Sequence, residues 1–318
     1  MLTTAFLFCF VGLAILVVAG DLLVRGAVNL SLRAGIPALI VSLTIVAFGT
    51  SAPELLVSID AVVSDKPGLA LGNVVGSNIA NVLLVLGLPA LISRLHTGAV
   101  ATRRSYLMML AATGGFIALG LAFGFDWRTG LALLAGLALT LFDQFRDARR
   151  ARRSAAAEPE DEDVEGANPD MPVWRIWAYL ILGLAGLPLG AHLLVDNAAT
   201  IASAFGVSDA VIGLTLVALG TSLPELATTV IAAMRRQADV AIGNVIGSNI
   251  FNLLAIIGIA SMFGPIPVEA QIARFDFWVM AGAAILLAPF VMGGRDLTRR
   301  YGAILCLAYV AYVTLVVI

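Results

Sequence analysis

Gly49-Thr50-Ser51-Ala52-Pro53-Glu54 recurs later in the chain as Gly220-Thr221-Ser222-Leu223-Pro224-Glu225. A second motif follows each copy, Gly72-Asn73-Val74-Val75-Gly76-Ser77-Asn78-Ile79-Ala80-Asn81 and Gly243-Asn244-Val245-Ile246-Gly247-Ser248-Asn249-Ile250-Phe251-Asn252. The offset is 171 for both motifs, 220 − 49 and 243 − 72. Each copy sets a proline and a carboxylate inside a long apolar stretch. A duplicated, acid-bearing, proline-broken segment in a bilayer points to an ion site.

The rest of the composition agrees with a bilayer as solvent. Hydrophobic residues are 60% of the 318, charged residues 13%, and mean hydropathy is +0.98. Such values lie outside the soluble range. The first positive charge is Arg25, after the first apolar run, so that run reads as a retained span rather than a cleaved leader. Cys9 and Cys306 lie in apolar runs and read as small hydrophobes. His96 and His192 are too few and too far apart for a transition-metal site. No phosphate loop, nucleophile elbow or zinc-protease pattern occurs, so the chain is not expected to be an enzyme, to carry a cofactor or to bind nucleic acid. No obligate protein partner is evident.

Hydropathy places spans at about 3–27, 36–63, 67–93, 105–124, 128–146, 173–197, 207–234, 238–263, 273–293 and 301–318. The expected fold is an all-α polytopic membrane protein: ten transmembrane helices in two five-helix repeats, 1–145 and 173–318, with broken helices at the centre. Between them lies a polar linker, 146–172, basic at first (Arg146 to Arg153) and then acidic (Glu158 to Glu165). Of the nineteen Lys and Arg, only Lys66, Arg128 and Arg274 fall outside if the N-terminus is outside, leaving sixteen inside. The positive-inside rule then puts both termini outside and the linker in the cytoplasm. Five is an odd number of crossings. The second half would enter the membrane from the other side, and the direct sequence repeat would become an inverted structural one. A cell (inner) membrane is the expected location.

Within each copy the oxygens converge. Thr50 and Glu54 are four apart and Ser51 and Glu54 three apart, as are Thr221, Ser222 and Glu225. In the following span Ser77 and Asn81, and Ser248 and Asn252, are again four apart. Pro53 and Pro224 lack an N–H and free carbonyls in the preceding turn. Every side-chain donor is oxygen, with no thiolate or imidazole, which selects hard cations such as Na+ and Ca2+. A mid-membrane carboxylate costs about 2.5–3.5 kcal/mol, and a structural one needs a basic partner. Residues 36–93 offer only Lys66, and 207–263 only Arg235 and Arg236, all in loops. The glycines read as close helix contacts, and Asn73, Asn78, Asn244 and Asn249 as interhelical bridges, ranked below Asn81 and Asn252. Asp21 and Arg25 read as a local ion pair.

The two blocks resemble the α-repeats of the sodium/calcium exchangers, within the cation/calcium exchanger superfamily. The doubled G-T-S-x-P-E with G-N-x-x-G-S-N is far more specific than a lone short motif. The resemblance implies that Glu54 and Glu225 are shared Ca2+ and Na+ ligands. Thr50, Ser51, Ser77, Thr221, Ser222 and Ser248 would add oxygens, and the carbonyls of Ala47 and Ala218 would complete the Na+ sites. Asn81 and Asn252 would line the middle. The implied function is Na+/Ca2+ antiport by alternating access, electrogenic and K+-independent; the alternative is a Ca2+/H+ or other cation/H+ antiporter. Proton-driven relatives carry an Asn-Ala pair where this chain has Thr-Ser, which favours Na+. Potassium-dependent relatives carry an Asp at the position of Asn252.

Overall fold

The computed structural model describes residues 2–95, 100–155, 168, 170–206 and 218–317. Among these the chain is almost wholly helical, and the only β pairing is two isolated bridges, Leu95 with Leu297 and Phe125 with Ile266. In order the helices are α1 (Leu2–Ala34), α2 (Ala38–Thr50), α3 (Ala52–Val63), α4 (Pro67–Ile92), α5 (Val100–Phe123) and α6 (Trp127–Ala155). The second half follows with α7 (Val173–Ala204), α8 (Ala218–Gly220), α9 (Leu223–Met234), α10 (Ala238–Ala260), α11 (Ile272–Val291) and α12 (Arg299–Val317). Seven of them are long and apolar enough to cross a membrane: α1, α4, α5, α7, α10, α11 and α12. The pair α2 and α3, bent by 42° at its break, makes an eighth.

Two expected spans look different. The helix that holds the expected span 128–146 runs on to Ala155. Its polar end is rich in Ala and Arg, good helix formers. Asp143 and Asp147 both pair with Arg104 of α5, and Arg150 lies 3.9 Å from Asp147. Of the span expected over 207–234, residues 207–217 are outside the described residues, leaving α8 and α9. At the other end of α6, Asp126 accepts from the backbone N–H groups of Arg128 at 2.9 Å and Thr129 at 3.0 Å. These bonds, the Thr129 one foremost, hold its carboxyl below the usual carboxylate range.

The sequence repeat is carried into the backbone at the same spacing. The helix Ala52–Val63 has its counterpart in Leu223–Met234, and Pro67–Ala80 in Ala238–Phe251. Each of the latter widens into a π turn, at Asn81–Val85 and at Asn252–Ile256. Even the corner residues agree: Asp65 has φ 56° and Arg236 has φ 55°.

Polarity is inside out relative to a water-soluble protein. Phe10, Leu139 and Phe142 are 71%, 70% and 65% exposed, whereas Glu54 and Glu225 are buried. Apolar side chains meet lipid, and the polar groups are gathered at the centre. Long α1 and α7 cross with backbones touching: a Cβ on Gly183 would stand 2.7 Å from Leu23 Cβ, and one on Gly12 2.8 Å from Gly190 O. One apolar core joins both halves, including Leu71 and Val74 from α4 and Val245 and Ile246 from α10.

Candidate ion-binding site

Helix α2 stops at Thr50, and Ser51 leaves helical geometry with φ −85° and ψ 4°. Pro53 then sits in the first turn of α3, where its missing N–H has no partner to lose. Glu54 follows, so Ser51-x-x-Glu54 has the pattern of a capping box. Neither serine caps its helix, however. Ser51 instead donates its hydroxyl to Glu225 Oε1 at 3.0 Å, across to the other half. Ser222 turns its hydroxyl to Ser77 Oγ at 3.4 Å, and Ser248 donates to Glu225 Oε1 at 3.4 Å. Both glutamates lie in the first turn of their helices, where the helix dipole favours negative charge.

A reciprocal brace surrounds the carboxylates. Thr50 donates to Asn244 Oδ1 at 3.3 Å, and Thr221 donates to Asn73 Oδ1 at 3.4 Å. Asn244 in turn gives its amide hydrogens to Glu225 O at 3.3 Å and Thr229 Oγ1 at 3.1 Å. Asn73 does the same to Glu54 O at 3.4 Å and Ser58 Oγ at 3.2 Å. Each half thus fixes the break in its own chain and is held by a threonine from the other. Asn73 and Asn244 bridge helices as their residue type suggests. Their threonine partners lie 148 and 194 positions away, so no local spacing could name them.

Several polar atoms at the centre have no partner. Both oxygens of Glu54, Oε2 of Glu225, Oδ1 of Asn81 and both amide atoms of Asn252 are buried without a hydrogen bond. Asn81 donates through Nδ2 to Asn249 Oδ1 at 3.1 Å, so its oxygen is the atom left over. Each uncompensated neutral group costs about 1–3 kcal/mol and a charged one more, so such a cluster needs an occupant. Among the described residues the ion pairs are Arg25–Asp21, Arg104–Asp143, Arg104–Asp147, Arg150–Asp147, His192–Asp196 and Arg235–Asp21. None involves Glu54 or Glu225. The donors left over are carboxylate and amide oxygens, the chemistry of a hard cation.

Ala47 O accepts from Ser51 N–H at 3.1 Å and from Thr50 Oγ1 at 3.3 Å. In the second copy Ser222 N–H donates to Leu219 O at 3.1 Å. The second motif is tightly covered. Helix α10 is buried through both motif glycines: a Cβ on Gly247 would stand 2.6 Å from Leu43 O, and one on Gly243 2.9 Å from Leu39 O. Ser42 adds a 2.6 Å bond to Val240 O. The matching Gly72 of α4 is exposed, and Asn73 and Gly76 are half-buried. Helix α2 covers this face of α10, while the stretch that matches α2 by the 171-residue offset falls largely in 207–217, outside the described residues.

Two tertiary contacts carried little signal in the sequence. Met109 of α5 receives the Asn249 amide through its sulfur at 3.7 Å. Arg235, just past α9, joins the Asp21–Arg25 pair and ties α1 to the second half.

A carboxylate pair of this kind, buried between duplicated broken helices, defines an ion-transporting membrane protein. The sodium/calcium exchanger protein family model matches residues 4–145 and 175–318, and the chain belongs to that family. It is 33% identical to the sodium/calcium exchanger MaX1 of Methanosarcina acetivorans, over 98% of each chain. It is 36% identical to the inner membrane protein YrbG of Escherichia coli, over 91% of this chain and 88% of that one. A solved structure of the sodium-calcium exchanger NCX_Mj superposes with a TM-score of 0.84 at 32% identity, covering 99% of both chains.

Proposed function

We propose that this protein is a Na+/Ca2+ antiporter, electrogenic and independent of K+, that works by alternating access. The observation that carries the reading is the pair Glu54 and Glu225, buried at matching helix starts with three of their four oxygens unpartnered. Two carboxylates balance one Ca2+. If they approach to about 5 Å, their mutual repulsion at an effective dielectric of 20 is about 3 kcal/mol. An empty, ionised site therefore resists closure, and a cation must fill it before the access side changes. That requirement favours exchange over uniport.

In this reading Thr50, Ser51, Ser77, Thr221, Ser222, Ser248, Asn81 and Asn252, with the carbonyls of Ala47 and Ala218, supply the remaining oxygens for Ca2+ and Na+. The chain crosses an inner membrane ten times as two inverted five-helix repeats, with both termini outside. Support comes from the bridges at the two ends of α5. Leu95 with Leu297 joins connections bearing Arg94 and Arg295, the latter next to Asp296, while Phe125 with Ile266 joins connections bearing Asp126 and Glu269. The names carried by MaX1 and NCX_Mj point to the same ions. The test is Ca2+ uptake into proteoliposomes under imposed Na+, K+ or pH gradients, one at a time. A Na+ gradient alone should drive uptake. Uptake driven only by a pH gradient would make the protein a Ca2+/H+ antiporter on the same scaffold.

A further inference from the structure

A cavity of about 700 Å³ lies far from the carboxylate pair, lined by Ile92, Ser93, Arg94, Thr298, Arg299 and Arg300. It is formed where the end of α4 meets the start of α12. The two segments are locked there by the Leu95–Leu297 bridge, with N–H to O distances of 3.2 and 2.9 Å. Lower down, α4 and α12 touch backbone to backbone, since a Cβ on Gly302 would stand 2.7 Å from Gly87 O. The three arginines are therefore presented on a rigid frame. Among the described residues no carboxylate pairs with Arg94, Arg299 or Arg300, whereas Arg25, Arg104 and Arg235 are each neutralised by an aspartate. Arg299 makes one bond, to Ile92 O at 3.4 Å. Ser93 and Thr298 add hydroxyl groups to the lining, and Ile92 and Tyr301 are 43% and 39% exposed beside it. Guanidinium groups and hydroxyls in a cleft, next to exposed apolar side chains at the end of two membrane helices, match an anionic headgroup with its acyl chains.

We propose that this cavity binds the phosphate of an anionic phospholipid, with Arg94, Arg299 and Arg300 as its ligands. The probe is phosphatidylglycerol titrated into the detergent-purified full chain and read by native mass spectrometry, with phosphatidylcholine and inorganic phosphate as parallel arms. Phosphatidylglycerol should bind the parent, and the Arg94→Gln, Arg299→Gln, Arg300→Gln triple variant should bind roughly a hundredfold more weakly, about 1 kcal/mol for each arginine. Each single variant should lose roughly fivefold, which keeps the test usable if the triple variant does not fold. The same triple replacement at Arg146, Arg149 and Arg150 should leave the affinity unchanged. The proposal is overturned if that control loses as much, if phosphatidylcholine binds equally well, or if inorganic phosphate alone occupies the site as tightly as the lipid.

Discussion

The Ser51 hydroxyl bonds Glu225 Oε1 at 3.0 Å, joining two residues that lie 174 positions apart in the chain. The bond makes the second carboxylate dependent on the first half of the protein. Glu225 receives a further hydroxyl from Ser248, while both oxygens of Glu54 stand free. The two acids are thus equivalent in sequence and unequal in their surroundings.

Removing either charge should end transport. Glu54→Gln and Glu225→Gln should each abolish Na+-driven Ca2+ uptake in proteoliposomes while the protein still inserts and purifies. No basic group among the described residues pairs with them, so neither variant strands a buried cation. Near-normal flux in either variant would remove that residue from the site.

The inequality predicts an order among the serines. Ser51→Ala removes a hydrogen bond to a carboxylate, a class worth about 1.5–3 kcal/mol, while Ser222→Ala removes a long bond between two hydroxyls. Apparent Ca2+ affinity should fall by roughly tenfold or more in the first and by less in the second. Equal losses would show that both serines act only as direct ion ligands.

The brace has its own signature in stability. Asn244→Ala strips a buried amide from Thr50, Thr229 and the Glu225 carbonyl together and should cost about 1–3 kcal/mol. Asn73→Ala should cost less, because Asn73 is half-buried where Asn244 is fully buried. Thermal unfolding in detergent without Ca2+ compares the two; a larger drop in melting temperature for Asn73→Ala would contradict an order set by the burial of the two asparagines.

Asn252 bears on the driving ion. It offers a neutral amide, both of whose polar atoms are free, where a carboxylate would add a full charge. At about 5 Å and an effective dielectric of 20, that charge is worth about 3 kcal/mol to a further cation. The parent should therefore transport Ca2+ equally well with K+ replaced by choline, and Asn252→Asp should bind cations more tightly. A parent that stalls without K+ would refute this account of Asn252.

Sidedness can be read by labelling. In a background with Cys9 and Cys306 replaced by alanine, Asp170→Cys should react with an impermeant thiol reagent only from the cytoplasmic side, and Phe263→Cys only from outside. Both positions are exposed. The reverse pattern would turn the proposed orientation over.

Much of the site was legible because its signals are local. Proline beside a carboxylate in an apolar run located both helix breaks, whereas the four-residue spacing from Thr50 to Glu54 runs across the break, and the threonine hydroxyl bonds Asn244. The 171-residue offset anticipated matching backbone down to the corner angles at Asp65 and Arg236. What the sequence withheld is tertiary. Nothing near Asp21 announces Arg235, and nothing near Thr50 announces Asn244. Ser51-x-x-Glu54 reads as a cap, and only the approach of Glu225 draws the serine hydroxyl elsewhere. Helix α6 outruns the expected span for a different reason: hydropathy marks where lipid ends, and the helix continues past it, with Arg104 paired to Asp143 and Asp147.

The exchanged bonds, Thr50 to Asn244 and Thr221 to Asn73, bear on how such a protein can be assembled. A polypeptide holding a single copy of the motif would find its missing acceptor only in a second molecule, so the integrity of its site would depend on how many copies the membrane held. Joining the copies in one chain replaces that encounter with a fixed effective concentration. The site is then as complete in a membrane holding one molecule as in one crowded with them, and each copy is free to change on its own, as the different partners of Ser51 and Ser222 already show.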